Sequence, residues 1–153
     1  MQRSRCFSNL AVTGLCMAAA GAMIVGCAGG EKLTEVRGKV LVGDQPVGKG
    51  AGFVTFHPDA SQGNNSMEEA VGAIQPDGTY SLDTRGKTGA AKGWYKVGVS
   101  IAEVLDPNNP YVTKWLMPNP DKYQDWNKSG IKIEVVEKPV AGQYDIQLPP
   151  LGG

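Results

Sequence analysis

Beyond residue 32 the chain alternates between apolar and polar positions with a period of two, not 3.6. Val36, Gly38, Val40 and Val42 alternate with Arg37, Lys39 and Leu41, the pattern of a strand with one buried face. "GDQP" at Gly43 to Pro46 interrupts it. A second strand is expected over Gly52 to His57, stopped by Pro58, and a third over Ala70 to Ile74. Between them Asp59 to Met67 is polar and rich in Gly and Asn, and reads as a mobile loop. "QPDG" at Gln75 to Gly78 is a turn, with Pro presetting φ and Gly free to take positive φ, and Thr79 to Asp83 returns as the fourth strand.

The fifth strand has the clearest alternation: Tyr95, Val97, Val99 and Ile101 point one way, Lys96, Gly98 and Ser100 the other. Ala102 to Gly130 holds four prolines and little alternation, and reads as a long connection. Ile131, Ile133 and Val135 make a sixth strand, and Tyr144, Ile146 and Leu148 a seventh. No stretch of this region carries a helical stripe. Seven short strands separated by turn signals predict an all-β, seven-stranded Ig-like or prealbumin-like β-sandwich over residues 33–150.

The N-terminal part follows another pattern. Arg3 and Arg5 precede an uncharged run of small and apolar residues from Leu10 to Cys27. A basic start followed by such a run is the layout of a secretory signal, and it lacks the roughly 20 strongly apolar residues of a spanning helix. The run ends in Ile24, Val25, Gly26, Cys27, which resembles the bacterial lipobox. That resemblance implies a lipoprotein signal peptide over residues 1–26, cleavage between Gly26 and Cys27, and acylation of the Cys27 thiol, followed by a short tether over 27–32. Each buried methylene of an acyl chain contributes about 0.8 kcal/mol, so several chains make a stable anchor. Ala28 and Gly29 follow, with no Asp at the second position; in a Gram-negative host this resembles outer-membrane retention.

Cleavage there removes 26 of 153 residues and leaves 127, enough for one domain with a core. Cys6 and Cys16 leave with the signal and Cys27 is consumed by lipid, so the folded part would hold no thiol for a disulfide, a metal or nucleophilic catalysis. Thirteen basic side chains then face fifteen acidic ones, a balance that favours neither nucleic acid nor an anionic surface.

The punctuation of the folded part is familiar. "GKVLVGDQPVGKGAGFVTFHP" (Gly38 to Pro58), "GAIQPDGTYSL" (Gly72 to Leu82), "GAAKGWYKVGVS" (Gly89 to Ser100) and "DKYQDWNKSGIKIEVVEKPVAGQYDIQL" (Asp121 to Leu148) resemble, in that order, the carboxypeptidase regulatory-like, transthyretin-like domains of bacterial lipoproteins. Pro46, Asp77, Gly78, Tyr80, Gly93, Tyr95, Val97, Val99, Lys122, Tyr123, Asp125, Ser129 and Gly130 stand at the family's positions. Gly43–Asp44 reverses the usual order, and Ile74–Gln75 replaces the usual pair before the turn. The resemblance implies a sandwich and no activity of its own.

Candidate chemistry is sparse. His57 is the single histidine, which excludes multi-histidine zinc sites; at a strand end before Pro58 it reads as a solvated ring. Transthyretin-like hydrolases of small purine derivatives use several His and Arg residues that are absent here, and no G-x-S-x-G elbow occurs. Asp77, Asp106, Asp121 and Asp125 do not form a calcium loop. Hence no cofactor, no metal and no catalysis are expected. Tyr111, Trp115, Tyr123 and Trp126 all lie in the long connection, where rings beside amides could form a sugar- or peptide-binding platform. Their structural reading is that they cover a sheet edge; in "DKYQDWNKSG" Tyr123 pins the loop, while Asp125 and Asn127 form turns that lead through Ser129 and Gly130 into the next strand. The expectation is therefore a lipid-anchored, non-catalytic module of the cell envelope with a structural or protein-binding role. The alternative is a carbohydrate or peptide binder using Trp115, Tyr123 and Trp126, and a hydrolase stands last. The partners implied are the membrane and an envelope protein or glycan.

Overall fold

Strands form where one face is buried, and the alternating segments supply that face. The computed structural model describes residues 32–48 and 51–152. The expected signal segment 1–26, the Gly26–Cys27 cleavage point, the lipidated Cys27 and, except for Lys32, the tether lie outside the described residues. The strands are β1 (Leu33–Thr34), β2 (Arg37–Val42), β3 (Gln45–Pro46), β4 (Ala51–Pro58), β5 (Ala70–Ile74), β6 (Thr79–Ser81), β7 (Asp83–Thr84), β8 (Lys87–Thr88), β9 (Ala90–Ala91), β10 (Gly93–Asp106), β11 (Asn109–Trp115), β12 (Ile131–Val135) and β13 (Ile146–Leu148). One helical turn, α1 (Pro120–Tyr123), follows β11. The chain is all-β.

β1 pairs with β9, and the other strands form one curled sheet whose main path is β11-β10-β4-β5-β6-β2-β13. Its pairings are antiparallel except for β13, which runs parallel to β2 with Ile146 opposite Val40. β10 is the spine. One of its edges pairs with β4 from Tyr95 to Ala102. The other is shared between β12, opposite Gly93 to Val97, and β11, opposite Ala102 to Asp106.

Curling brings the inward residues of β2, β4, β10, β12 and β13 into one cluster. Val40, Val54, Phe56, Val97 and Ile101 are fully buried there, each large side chain contributing about 1.5–3 kcal/mol. Phe56 packs at a tilt against Tyr95, with ring centroids 5.7 Å apart. The Gln75–Gly78 turn forms as expected. Gly78 has φ +81°, its N–H donates to the Gln75 carbonyl, and Asp77 accepts from the Thr79 backbone and hydroxyl.

Two expectations are corrected. Ala102 to Gly130 is not an irregular connection throughout: β10 continues to Asp106 and returns as β11, whose residues are all exposed. Neither face of that ribbon is buried, so no alternation marks it. The segment read as a mobile loop, Asp59 to Met67, is anchored at its start. Asp59 is 1% exposed and Asn64 5%, and both the Asp59 backbone N–H and the Asn64 amide donate to the Trp94 carbonyl, at 2.9 and 3.0 Å.

Candidate functional site

Strand register places three basic side chains in one row on the outer face. Tyr95 and Val97 point into the core, so Lys96 between them points out. Lys96 lies opposite His57 on β4 and opposite Lys132 on β12. Two lysines directly across a ladder repel each other. The carboxylate of Asp59 offsets this: its Oδ2 is 2.9 Å from the Lys132 Nζ and its Oδ1 4.0 Å from the Lys96 Nζ. The Ser61 hydroxyl also donates to Asp59, at 2.5 Å. The Ser61 bond first, and then the Lys132 bond, hold the Asp59 carboxyl below the ordinary carboxylate range.

The segment after α1 lies across this row. Gly98 makes that possible, since a Cβ there would sit 2.8 Å from the Gln124 carbonyl oxygen. Asp125 then accepts from the Asn127 N–H at 2.9 Å, while the Ser129 hydroxyl donates to the Val97 carbonyl at 2.6 Å. Gly130, at φ +75°, leads into β12. So clamped, Trp126 lies flat on His57, with ring centroids 3.6 Å apart and planes 8° from parallel. The Lys96 Nζ is 5.3 Å from the Trp126 ring and donates to the Asn127 side-chain oxygen at 3.2 Å.

His57 is therefore not the solvated strand-end ring expected from the sequence. One face is covered by indole, and its Nδ1 is 2.6 Å from Glu69 Oε1. A carboxylate on one ring nitrogen fixes the orientation of an imidazole. Beside it lies a shallow depression of about 760 Å³, lined by Pro58, Asn64, Ser66, Met67, Glu69 and Val71. Among the described residues no group of three or more His, Cys, Asp or Glu side chains is placed to hold a metal ion.

The three aromatic residues singled out as binding candidates are not gathered on one platform. Tyr123 is 7% exposed and belongs to the core cluster. Trp126 stacks on His57 at the level of Lys96. Trp115 stands opposite Ala102, six residues along β10 from Lys96 and hence about 20 Å away at about 3.3 Å per residue. It is 41% exposed.

Asp59, Glu69, Lys96 and Lys132 were not singled out from the sequence. Their signal was partial: Lys96 and Lys132 occupy outward positions of two well-marked strands, but that those strands are neighbours is a tertiary fact. No family model, curated protein or solved structure matches the chain.

Proposed function

We propose that the chain is a lipid-anchored, non-catalytic module of a bacterial cell envelope, tethered through Cys27 and serving a structural or protein-binding role. On this reading the folded part is a seven-stranded prealbumin-like sandwich of the carboxypeptidase regulatory-like, transthyretin-like kind, with β11 added to the edge. One observation supports it above others: the polar side chains of the outer row are committed to one another. Asp59 is taken by Lys132 and Ser61, and His57 by Glu69 and Trp126. Such contacts fasten the Asp59–Asn64 and Gln124–Ser129 segments to the sheet, and they keep a scaffold rigid rather than turn over a substrate.

Two variants test this. Cys27→Ser should move the chain from the membrane to the soluble fraction of the envelope; a variant that stays with membranes refutes the tether. His57→Ala should lower stability while leaving membrane association and capture of envelope partners intact. Loss of a hydrolytic activity in His57→Ala, at unchanged fold, would refute the non-catalytic reading.

A further inference from the structure

The tether proposed at Cys27 meets the fold at one end of its longest strand. The stretch from Cys27 to Lys32 reaches no further than about 18 Å even when fully extended. Lys32 is held by the Glu137 carboxylate at 3.1 Å, and β1, which follows it directly, pairs with β9 just before β10 begins. From there β10 runs from Gly93 to Asp106, about 43 Å along the strand at 3.3 Å per residue. The Gly93 end therefore stays within the tether's reach of the acyl chains. The Asp106 end can touch the bilayer only if the whole molecule lies down along it.

The surface at the tethered end suits a bilayer. Residues 139–143 form a turn that shares a shallow hollow of about 310 Å³ with Glu35 and Arg37. The turn is braced: the Val140 N–H donates to the Gln143 side-chain oxygen and the Gln143 N–H to the Val140 carbonyl, both at 3.1 Å, while the Gln143 amide donates to the Glu134 carbonyl at 3.2 Å. So held, Val140 is 72% exposed. Lys32 and Lys92 both converge on Glu137, at 3.1 and 3.7 Å, and the exposed Lys138 beside it has no ion-pair partner among the described residues. Arg37 is matched by Glu35 at 2.5 Å. Three lysines about one carboxylate leave positive charge in excess here, although the chain from Cys27 onward carries more acidic than basic side chains.

We propose that this end docks on the bilayer, Pro139 and Val140 entering the headgroup boundary while Lys32, Lys92 and Lys138 meet the phosphates of anionic lipids. The β10–β11 ribbon then stands away from the membrane. The proposal rests on the Cys27 tether and adds the face that the lipid covers. Tethering favours lipid over any other occupant, because it holds this end beside the headgroups at a high effective concentration, where contacts too weak to capture a free protein suffice to orient one. Attraction to an anionic surface fades within a Debye length, about 8 Å, so the lysines nearest the tether carry it. An apolar side chain at the headgroup boundary adds to it.

In the processed chain the three native cysteines are removed or acylated, so one introduced cysteine is the single thiol. Val140→Cys and Asn108→Cys, both at exposed turn positions, are expressed in full in a bacterial host that lipidates them, labelled with an environment-sensitive fluorophore, and reconstituted into equimolar phosphatidylcholine and phosphatidylglycerol vesicles containing a headgroup-spin-labelled lipid. The label at 140 should lose most of its emission and the label at 108 keep it. Raising the salt, omitting phosphatidylglycerol, or adding Lys138→Glu should each restore emission at 140 with the circular dichroism unchanged. A chain that does not float with the vesicles overturns the tether, and the docking with it. A chain that floats overturns the docking alone if 108 is quenched as much as 140, if quenching at 140 ignores phosphatidylglycerol and Lys138→Glu, or if protein rather than lipid shields position 140.

Discussion

The His57 ring and the Trp126 indole stack 3.6 Å apart, joining the end of β4 to a segment about 70 residues later in the chain. A stacked aromatic pair contributes about 0.5–1.5 kcal/mol beyond its buried area, and a cation over an indole adds about 0.5–1 kcal/mol. Trp126→Ala removes both and should destabilise the fold by about 1–2 kcal/mol, read as a lower urea midpoint at unchanged slope. His57→Phe keeps a ring under Trp126 and gives up only the Glu69 contact, so it should cost less. A larger loss in His57→Phe than in Trp126→Ala would mean that the Glu69 bond, not the stack, holds this corner.

Acid should weaken the row. The Asp59 carboxyl is held below its ordinary range by Ser61 first and then by Lys132. A carboxyl whose folded pKa is depressed binds fewer protons folded than unfolded, so its stabilisation is present above the unfolded value, about 3.9, and is lost as pH falls through the folded value. Unfolding free energy should therefore decline as pH drops below about 4. Asp59→Asn should lower stability at neutral pH and flatten that decline. Asp77, held low mainly by the Thr79 hydroxyl, and Asp125, held low mainly by Lys128, should preserve part of it. An acid limb unchanged in Asp59→Asn would show that Ser61 and Lys132 together do not discriminate between the two ionisation states of this group.

How much of this arrangement was legible depended on whether a residue's role was local. The alternation at Val36–Val42, Tyr95–Ile101 and Ile131–Val135 reads directly, because each strand has one face in the core. The Gln75–Gly78 turn and the Asp125–Gly130 strand entry also read directly, since their hydrogen bonds close within a few residues. β11 does not, because a ribbon wet on both faces has no hydrophobic period. Nor does the burial of Asp59, whose partner Lys132 lies 73 residues away. The segment around Asp59 has the composition of a mobile loop, and only its neighbours in space make it otherwise. The aromatic cluster of the long connection was similarly ambiguous: nearness in sequence put Trp115, Tyr123 and Trp126 together, and the strand register separates them.

Gly98 should resist substitution although it lies on the outer face. Its missing Cβ admits the Gln124 carbonyl at a separation that a real Cβ does not tolerate, and the atom met is backbone. Gly98→Ala must therefore push the Gln124–Ser129 segment away from β10, at about 1–3 kcal/mol by the usual scale of overpacking. It should also loosen the stack, so that Trp126 fluorescence shifts to the red and becomes more open to quenching by iodide. A Gly98→Ala protein with wild-type stability and an unshifted spectrum would mean that the segment is not seated on the strand.

Tyr80 ties two distant parts of the sheet through a main-chain acceptor. Its ring is 3% exposed, and its hydroxyl donates to the Tyr144 carbonyl at 2.5 Å. Burial first, and the nearby Asp145 charge second, push the phenol's ionisation well above its ordinary range, so it remains a donor throughout the pH range in which the fold is studied. Tyr144 passes the link on, its hydroxyl meeting the Val136 N–H at 3.2 Å and carbonyl at 3.3 Å just beyond β12. Tyr80→Phe leaves the carbonyl without this donor and should cost about 1–2 kcal/mol, the scale of an unsatisfied buried polar group. Because the acceptor is backbone, the cost should persist in a Tyr144→Phe background, with a coupling energy within about 0.5 kcal/mol of zero in a double-mutant cycle. A coupling approaching the full single-mutant loss would instead place the interaction between the two side chains, and the β6 to β12 link would then run through the rings rather than through the main chain.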